Sequence, residues 1–245
     1  MSRRMPRVNT AWKVLDHGPL EAVTENLWRV TGAVPGMSLR RTMTVVRRAD
    51  GSLLLHSPIA LDEARRQELE ALGPLRAIVV PSALHRLDAP AYKARYPEIV
   101  TFCPRGAREK VAQVVAVDGS YEDYADDGTL RFETLAGVGE QEGAMIVRSA
   151  DGLTVVLNDV VMNMDKKRDL LGYLFTTLMG SAPGPRVSRL SRAFLVKDQP
   201  ALRQHLERLA SLPDLQRLIV AHEKLTSGPE AALALREAAT YLKTA

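Results

Sequence analysis

The chain is predicted to be an α/β protein (α+β in some schemes), with two β-sheets packed face to face and helices on their outer sides. Three observations predict it. Asp50-Gly51 and Asp151-Gly152, the dipeptide favoured in tight hairpin turns, each sit between strand-like runs, so antiparallel pairs are expected near the N-terminus and again in the middle. Between those hairpins, strand-length apolar runs alternate with segments of helical period. Hairpins have no place in the continuous strand–helix–strand crossovers of a doubly wound parallel sheet, so this order favours a two-sheet sandwich. The 245 residues fit one large domain, predicted over 21–245 behind an N-terminal arm at 1–20.

Taken in order, Asn26–Val30 is a short strand candidate, closed by the turn that Gly32, Pro35 and Gly36 impose. Leu39–Arg47 alternates apolar and polar residues, and Ser52–His56 is its return strand. Asp62 is placed to cap a helix over Glu63–Leu72, which Gly73-Pro74 stops. Arg76–Val80, rich in β-branched residues and ended by Pro81, reads as a buried strand. Pro90–Tyr96 reads as a helix opened by proline, Glu98–Phe102 as a strand, and Pro104–Lys110 as a further helical segment. Leu130–Leu135, Ala144–Arg148 and Thr154–Leu157 are three more strands. Helix returns over Lys166–Met179 until Gly180–Pro185 breaks it, a stretch too short for a flexible interdomain linker. Ser188–Phe194 is ambiguous, Leu202–Leu209 is helical, Leu215–Val220 is a strand, and Pro229–Leu242 is an Ala-rich amphipathic helix.

Composition narrows the class of function. An apolar share of 46% with 25% charged residues excludes a disordered or fibrous chain. The net charge of +4 is spread along the chain, apart from Arg3, Arg4 and Arg7, and no later Lys/Arg block suggests a nucleic-acid partner. Cys103 is the only cysteine, so no internal disulfide forms. The basic start has no apolar stretch of a signal peptide behind it, and the apolar runs fall short of the ~20 residues that span a bilayer. A cytoplasmic protein with no membrane partner is expected, with a homodimer as the commonest symmetric state.

The residues that carry chemistry stand where strands end. Of the histidines His17, His56, His85, His205 and His222, His56 closes the Ser52–His56 strand, His85 follows Pro81, and His222 follows Leu215–Val220. Asp159 follows Thr154–Leu157 in the same way. Scaffolds of this class assemble their sites at such positions, and neutral imidazole with carboxylate suits zinc, iron or manganese. Each of these residues is equally readable as a satisfied polar group at the edge of the core. Cys103 reads as a small buried hydrophobe, although a helix start would activate a thiol. Ser57 gains no base merely by adjoining His56, and no G-x-S-x-G surrounds any serine. Gly32–Gly36 and Gly137–Gly139 lack phosphate-loop patterns and read as turns. The acidic run Asp118–Asp127 lacks EF-hand spacing and reads as a solvated connection, His205 as solvent-facing, and Arg40-Arg41 as a solvated strand face.

LLLHSPIALDE (Leu53–Glu63), GPLRAIVVPSALH (Gly73–His85) and AYKARYPEIVTFCPRG (Ala91–Gly106) resemble an uncharacterised family usually described as DUF4336, placed in the metallo-β-lactamase-like hydrolase/oxidoreductase superfamily. The resemblance runs from about Leu27 to Val220, and HSP and KARYPE are its most specific segments. It implies a four-layer αββα sandwich with one or two metals at the sheet edge. The superfamily's first ligand motif, H-x-H-x-D-H, would begin at Ser82. There Ser82 and Leu84 replace the leading histidines, Arg86-Leu87 replaces the Asp-His pair, and His85 survives out of register or with Asp88 as a shifted remnant. The histidine of the middle hairpin would fall on Val138 or Gly139, whereas Asp159 matches the bridging aspartate and His222 the last histidine.

The resemblance therefore implies a mononuclear hydrolase of unknown small-molecule substrate, holding one zinc, iron or manganese ion on His85, Asp159 and His222. Asp159 and His85 would be its catalytic groups, with His56 or Asp88 behind them. The alternative is a catalytically inactive scaffold of the same fold, binding no metal and taking a small molecule or a protein partner. Leu84, apolar in the ligand loop, favours that alternative.

Overall fold

In the computed structural model, which describes residues 10–244, the chain forms two sheets. The first contains β1 (Glu21–Thr24), β2 (Leu27–Val34), β3 (Met37–Arg47), β4 (Leu53–His56), β5 (Leu75–Val79), β6 (Val100–Cys103) and β7 (Gly119–Ser120), side by side in that order. It is antiparallel from β1 to β4 and parallel from β4 to β7. The helices α1 (Glu63–Ala71), α2 (Ala89–Arg95) and α3 (Arg108–Val111) make the crossovers between its parallel strands. The second sheet has the order β12-β11-β10-β9-β8, built from β8 (Leu130–Thr134), β9 (Gly143–Ser149), β10 (Gly152–Val156), β11 (Leu215–Ile219) and β12 (Leu225–Ser227). Between β10 and β11, which pair in parallel, run α4 (Leu170–Tyr173), α5 (Arg189–Phe194) and α6 (Gln199–Leu209), and α7 (Pro229–Thr240) closes the chain.

Strand alternation sorts the core into layers. Leu54, Ala77 and Val79 of the first sheet meet Met145, Val156 and Ile219 of the second in the space between the sheets. The alternate residues Leu53, Leu55 and Ile78 pack outward with Leu69 and Tyr92 of the first sheet's helices. Leu153, Val155 and Leu218 likewise face Leu202, Leu206 and Leu235. The order is helix, sheet, sheet, helix. All four residues of β4 are buried because both faces of the strand are covered.

Local chemistry explains most boundaries. Asp62 caps α1 by accepting from the Arg65 amide at 2.8 Å, and Ser188 resolves the ambiguous 188–194 stretch as a helix by accepting from Ser191 N at 2.9 Å. Asp169 caps α4, so helix begins after Lys166–Arg168, and the following Leu174–Leu178 turn is π-helical. β2 runs past the predicted break at Gly32, because only the Pro35-Gly36 end turns the chain. An added Cβ at Gly32 would approach Ile59 to 3.1 Å, so the glycine serves close packing within the strand. The acidic run is a connection whose carboxylates accept from main-chain amides: Asp118 from Thr101, Asp123 from Ser120, and Asp127 from Thr129 and Leu130. Residues 12–18 lie against the first sheet, with the Trp12 indole donating to the Leu61 carbonyl at 2.8 Å and His17 bridged to Gly32. Arg3, Arg4 and Arg7 lie outside the described residues. Among the described residues, no helix is long and apolar enough to cross a membrane.

Gly137 joins the middle hairpin to α6. Its φ is +78°, its carbonyl accepts from Lys197 and Asp198 at 2.7 and 3.0 Å, and a Cβ there would stand 2.1 Å from the Asp198 carbonyl oxygen. Gly137→Ala is expected to cost about 2 kcal/mol or more, combining a strained φ with a clash against backbone. Urea unfolding checks this, and a loss within about 0.5 kcal/mol would contradict it.

Candidate metal centre

The parallel pairs β4–β5 and β10–β11 put the C-terminal ends of four strands along one edge of the sandwich. His85 stands in the loop after β5, Asp159 just past β10 and His222 just past β11, so both sheets contribute to one site. The sheets are tied together there. Thr42 of β3 donates its amide to the Ala221 carbonyl at 2.8 Å, and His222 Nδ1 donates to the Arg40 carbonyl at the same distance.

The three side chains converge. His85 Nε2 lies 3.1 Å and His222 Nε2 3.3 Å from the same oxygen, Asp159 Oδ1. One donor atom from each residue lies within 4.8 Å of the other two. The three-residue site is thus geometrically compatible with a single divalent ion.

Hydrogen bonding tests whether these residues suit a cation. A carbonyl only accepts, so the bond to Arg40 places a proton on His222 Nδ1. In neutral imidazole, Nε2 is then a bare lone pair facing a carboxylate oxygen, and the two acceptors repel. Either a second proton or a metal ion must sit between them. The ionisation pattern follows from the same geometry. Burial disfavours charge on His222, but the Asp159 carboxylate outweighs it and raises the imidazole pKa. Burial likewise opposes ionisation of Asp159, yet the two imidazoles hold its carboxyl well below the ordinary carboxylate range.

The surrounding contacts hold these three groups in place. Ser57, at the end of β4 with φ +57°, sets its hydroxyl 3.1 Å from His85 Nδ1. The Ser191 hydroxyl donates to the Asp159 carbonyl at 2.7 Å. Glu142, fully buried, accepts from the Val160 amide at 3.0 Å and so clamps the loop that carries Asp159. Burial first, and then the neighbouring Asp159 charge, push the Glu142 pKa well above the ordinary carboxylate value.

Several sequence expectations are corrected here. Arg41 is not on a solvated strand face: it is buried and ion-paired to Asp88. Asp88 also accepts from the Ala60 amide at 3.0 Å, so it is no ligand remnant and braces the loop before α2 instead. His56 is buried with Nε2 unpartnered, so that atom makes no hydrogen bond to Asp159 or His222. His205 is not solvent-facing, because it accepts from the Ala136 amide at 3.2 Å and lies 3.6 Å from Glu133. Val138 is buried in the core of the second sheet, leaving no ligand in the middle hairpin. The reading of Cys103 stands: it is buried, which pushes its thiol pKa up to about 11. Sequence reasoning passed over Glu142 and gave Ser57 and Arg41 other roles; the φ at Ser57 and the burial of the other two are the signals that single them out, and neither is visible in a string of residues.

A cleft of about 710 Å³ opens above the side chains of His85, Asp159 and His222. The β2–β3 hairpin, the His85 loop and helix α5 wall it with Val34, Met37, Leu87 and Leu195.

His56 makes the fold acid-sensitive. Burial, with a contribution from the nearby His85, lowers its pKa from 6.5 to about 3. Between those values the unfolded chain takes up a proton that the folded chain refuses, so this residue's effect is absent above pH 6.5 and destabilising as pH falls below it. Relative to His56→Leu, the wild type is expected to lose up to about 1.4 kcal/mol per pH unit in that window. Denaturation midpoints against pH check this, and parallel profiles would contradict it.

No protein-family model matches the chain, and no curated protein matches it. Solved structures do. The metallo-β-lactamase DIM-1 exposed to ceftazidime superposes with a TM-score of 0.62 at 15% identity, covering 94% of this chain and 99% of that one. FIM-1 from Pseudomonas aeruginosa, in its mono-zinc form, gives 0.59 at 15% identity over 94% and 98% of the two chains. The metallo-β-lactamase from Pontibacter korlensis gives 0.59 at 10% identity over 90% and 98%. The chain therefore has the metallo-β-lactamase fold, in divergent form, with a candidate mononuclear site at His85, Asp159 and His222.

Proposed function

We propose that this protein is a mononuclear metal-dependent hydrolase of the DUF4336 branch, with His85, Asp159 and His222 as its metal ligands. The observation that carries the reading is the pair of imidazole nitrogens turned onto one buried carboxylate oxygen, a donor set that suits zinc, iron or manganese. An ion bound there supplies a Lewis acid and lowers the pKa of a bound water. Asp159 and His85 are the catalytic groups, and both are reached from the cleft. Ser57 orients His85 by hydrogen bonding to Nδ1, which leaves Nε2 for the centre.

A serine hydrolase built on Ser57, His85 and Asp159 is the competing arrangement, since the three are linked in a chain of 3.1 Å contacts. Two facts weigh against it. Ser57 is 2% exposed and does not line the cleft, so no substrate reaches its hydroxyl. Asp159 also serves His222, which a triad would not require. The inert-scaffold reading rested on Leu84, but that side chain is 77% exposed and does not fill the centre.

Elemental analysis of chelator-free protein tests the proposal. The expected result is about one zinc, iron or manganese per chain, lost in the Asp159→Ala, His222→Ala double variant. Less than about a tenth of an equivalent in the wild type after anaerobic reconstitution, with the fold intact, would overturn it.

A further inference from the structure

We infer that the cleft takes a long-chain acyl ester, with the chain along the apolar walls and the ester carbonyl at the His85–Asp159–His222 floor. The inference rests on the hydrolase reading for its reaction but not for its binding, which the walls alone would provide. Among the described residues, the polar side chains lining the cleft are Arg41, His85, Asp159, Ser191 and His222. Two of those are already committed: Arg41 is neutralised by Asp88, and the Ser191 hydroxyl donates to the Asp159 carbonyl. Free polar function is therefore confined to the three groups of the floor. A sugar, nucleotide or peptide would leave its own hydrogen-bonding groups unmatched against Leu39, Met162, Phe175 and Leu190, at a cost those walls cannot offset.

The mouth is apolar as well. Leu84 and Phe194 line the cleft while remaining 77% and 72% exposed, and Leu170, Leu171 and Leu178 stand exposed on the neighbouring helical segment. Exposed apolar surface concentrated at one opening marks a binding surface rather than scattered background. A volume of about 710 Å³ suits one small molecule. The ligand chemistry that matches is one hydrolysable group on an extended hydrocarbon. In the reaction, the water oxygen bonds to the acyl carbon, the acyl–oxygen bond breaks, and the alcohol leaves carrying a proton from that water, giving a carboxylic acid.

Binding and turnover are measured separately. Metal-free protein is titrated with a fluorescent long-chain fatty acid, displaced by unlabelled alkanoates of increasing length. Each added methylene is expected to tighten binding about fourfold until the cleft is filled. Leu84→Ser and Phe194→Ser, at exposed positions that do not threaten folding, should weaken the longest chain about tenfold or more with metal content and thermal midpoint unchanged. Metal-loaded protein is then given p-nitrophenyl esters from acetate to dodecanoate, above and below their critical micelle concentrations. A rise in kcat/KM with chain length supports the inference; onset below that concentration marks a dissolved substrate, and onset only above it marks a lipid aggregate. Chain-dependent binding without turnover keeps the ligand class and overturns the hydrolase reading. Hydrolysis indifferent to chain length, or a metal-free protein that binds no chain, overturns the ligand class. So does a dimer that buries Leu84 and Phe194 and leaves the cleft closed to every ester.

Discussion

A carboxylate buried at the meeting of two sheets is expensive to keep charged, and Asp159 is such a group. What makes it tolerable is the approach of two imidazoles to one of its oxygens, and the rest of the site can be understood as the means of holding that arrangement. His222 is tethered through Nδ1 to the Arg40 carbonyl, at the point where an amide–carbonyl bond joins β3 of one sheet to the end of β11 of the other. His85 is tethered through Nδ1 to Ser57 at the end of β4. The Asp159 loop is held from below by Glu142 and from the side by Ser191. Each tether occupies an atom that does not face the centre. The atoms left facing it are two imidazole nitrogens and a carboxylate oxygen, a set that suits a cation.

The same edge explains how three residues converge where the resemblance would place a fuller set of ligands. Ser82, Leu84, Val138 and Gly139 offer no donor in place of the histidines that the resemblance would put there. His85, Asp159 and His222 all follow strands of the two sheets, whose geometry is set by core packing. Arg41 and Asp88 form a buried pair that ties β3 to the end of the His85 loop, so that loop is braced without a second ion. Removing one partner of such a pair would leave an uncompensated buried charge.

Much of this was legible in the sequence. The Asp-Gly hairpins, the β-branched run of β5 and the Pro- and Asp-capped helices are local signals, and local signals survive without coordinates. His85, Asp159 and His222 were legible for a similar reason: polar residues directly after apolar strands end up at a sheet edge. The short strands β1, β7 and β12 were missed because two to four residues carry no readable period. Glu142 was missed, and the roles of Ser57 and Arg41 were read differently, for another reason. Their roles come from contacts across long sequence separations, such as Ser57 with His85 and Arg41 with Asp88, and nothing in the sequence distinguishes buried Glu142 from exposed Glu140 two positions earlier.

The central claim is that His222 and His85 present unprotonated Nε2 atoms to a cation shared with Asp159. Two-dimensional nitrogen-15 spectra of the imidazole rings, recorded on metal-free protein and during zinc addition, test it most directly. The account predicts that His222 carries a proton on Nδ1 before metal is added. On adding one equivalent of zinc, it predicts conversion of both rings to Nδ1-protonated forms with metal-shifted Nε2 signals. Rings that stay Nε2-protonated and unmoved by zinc would contradict it.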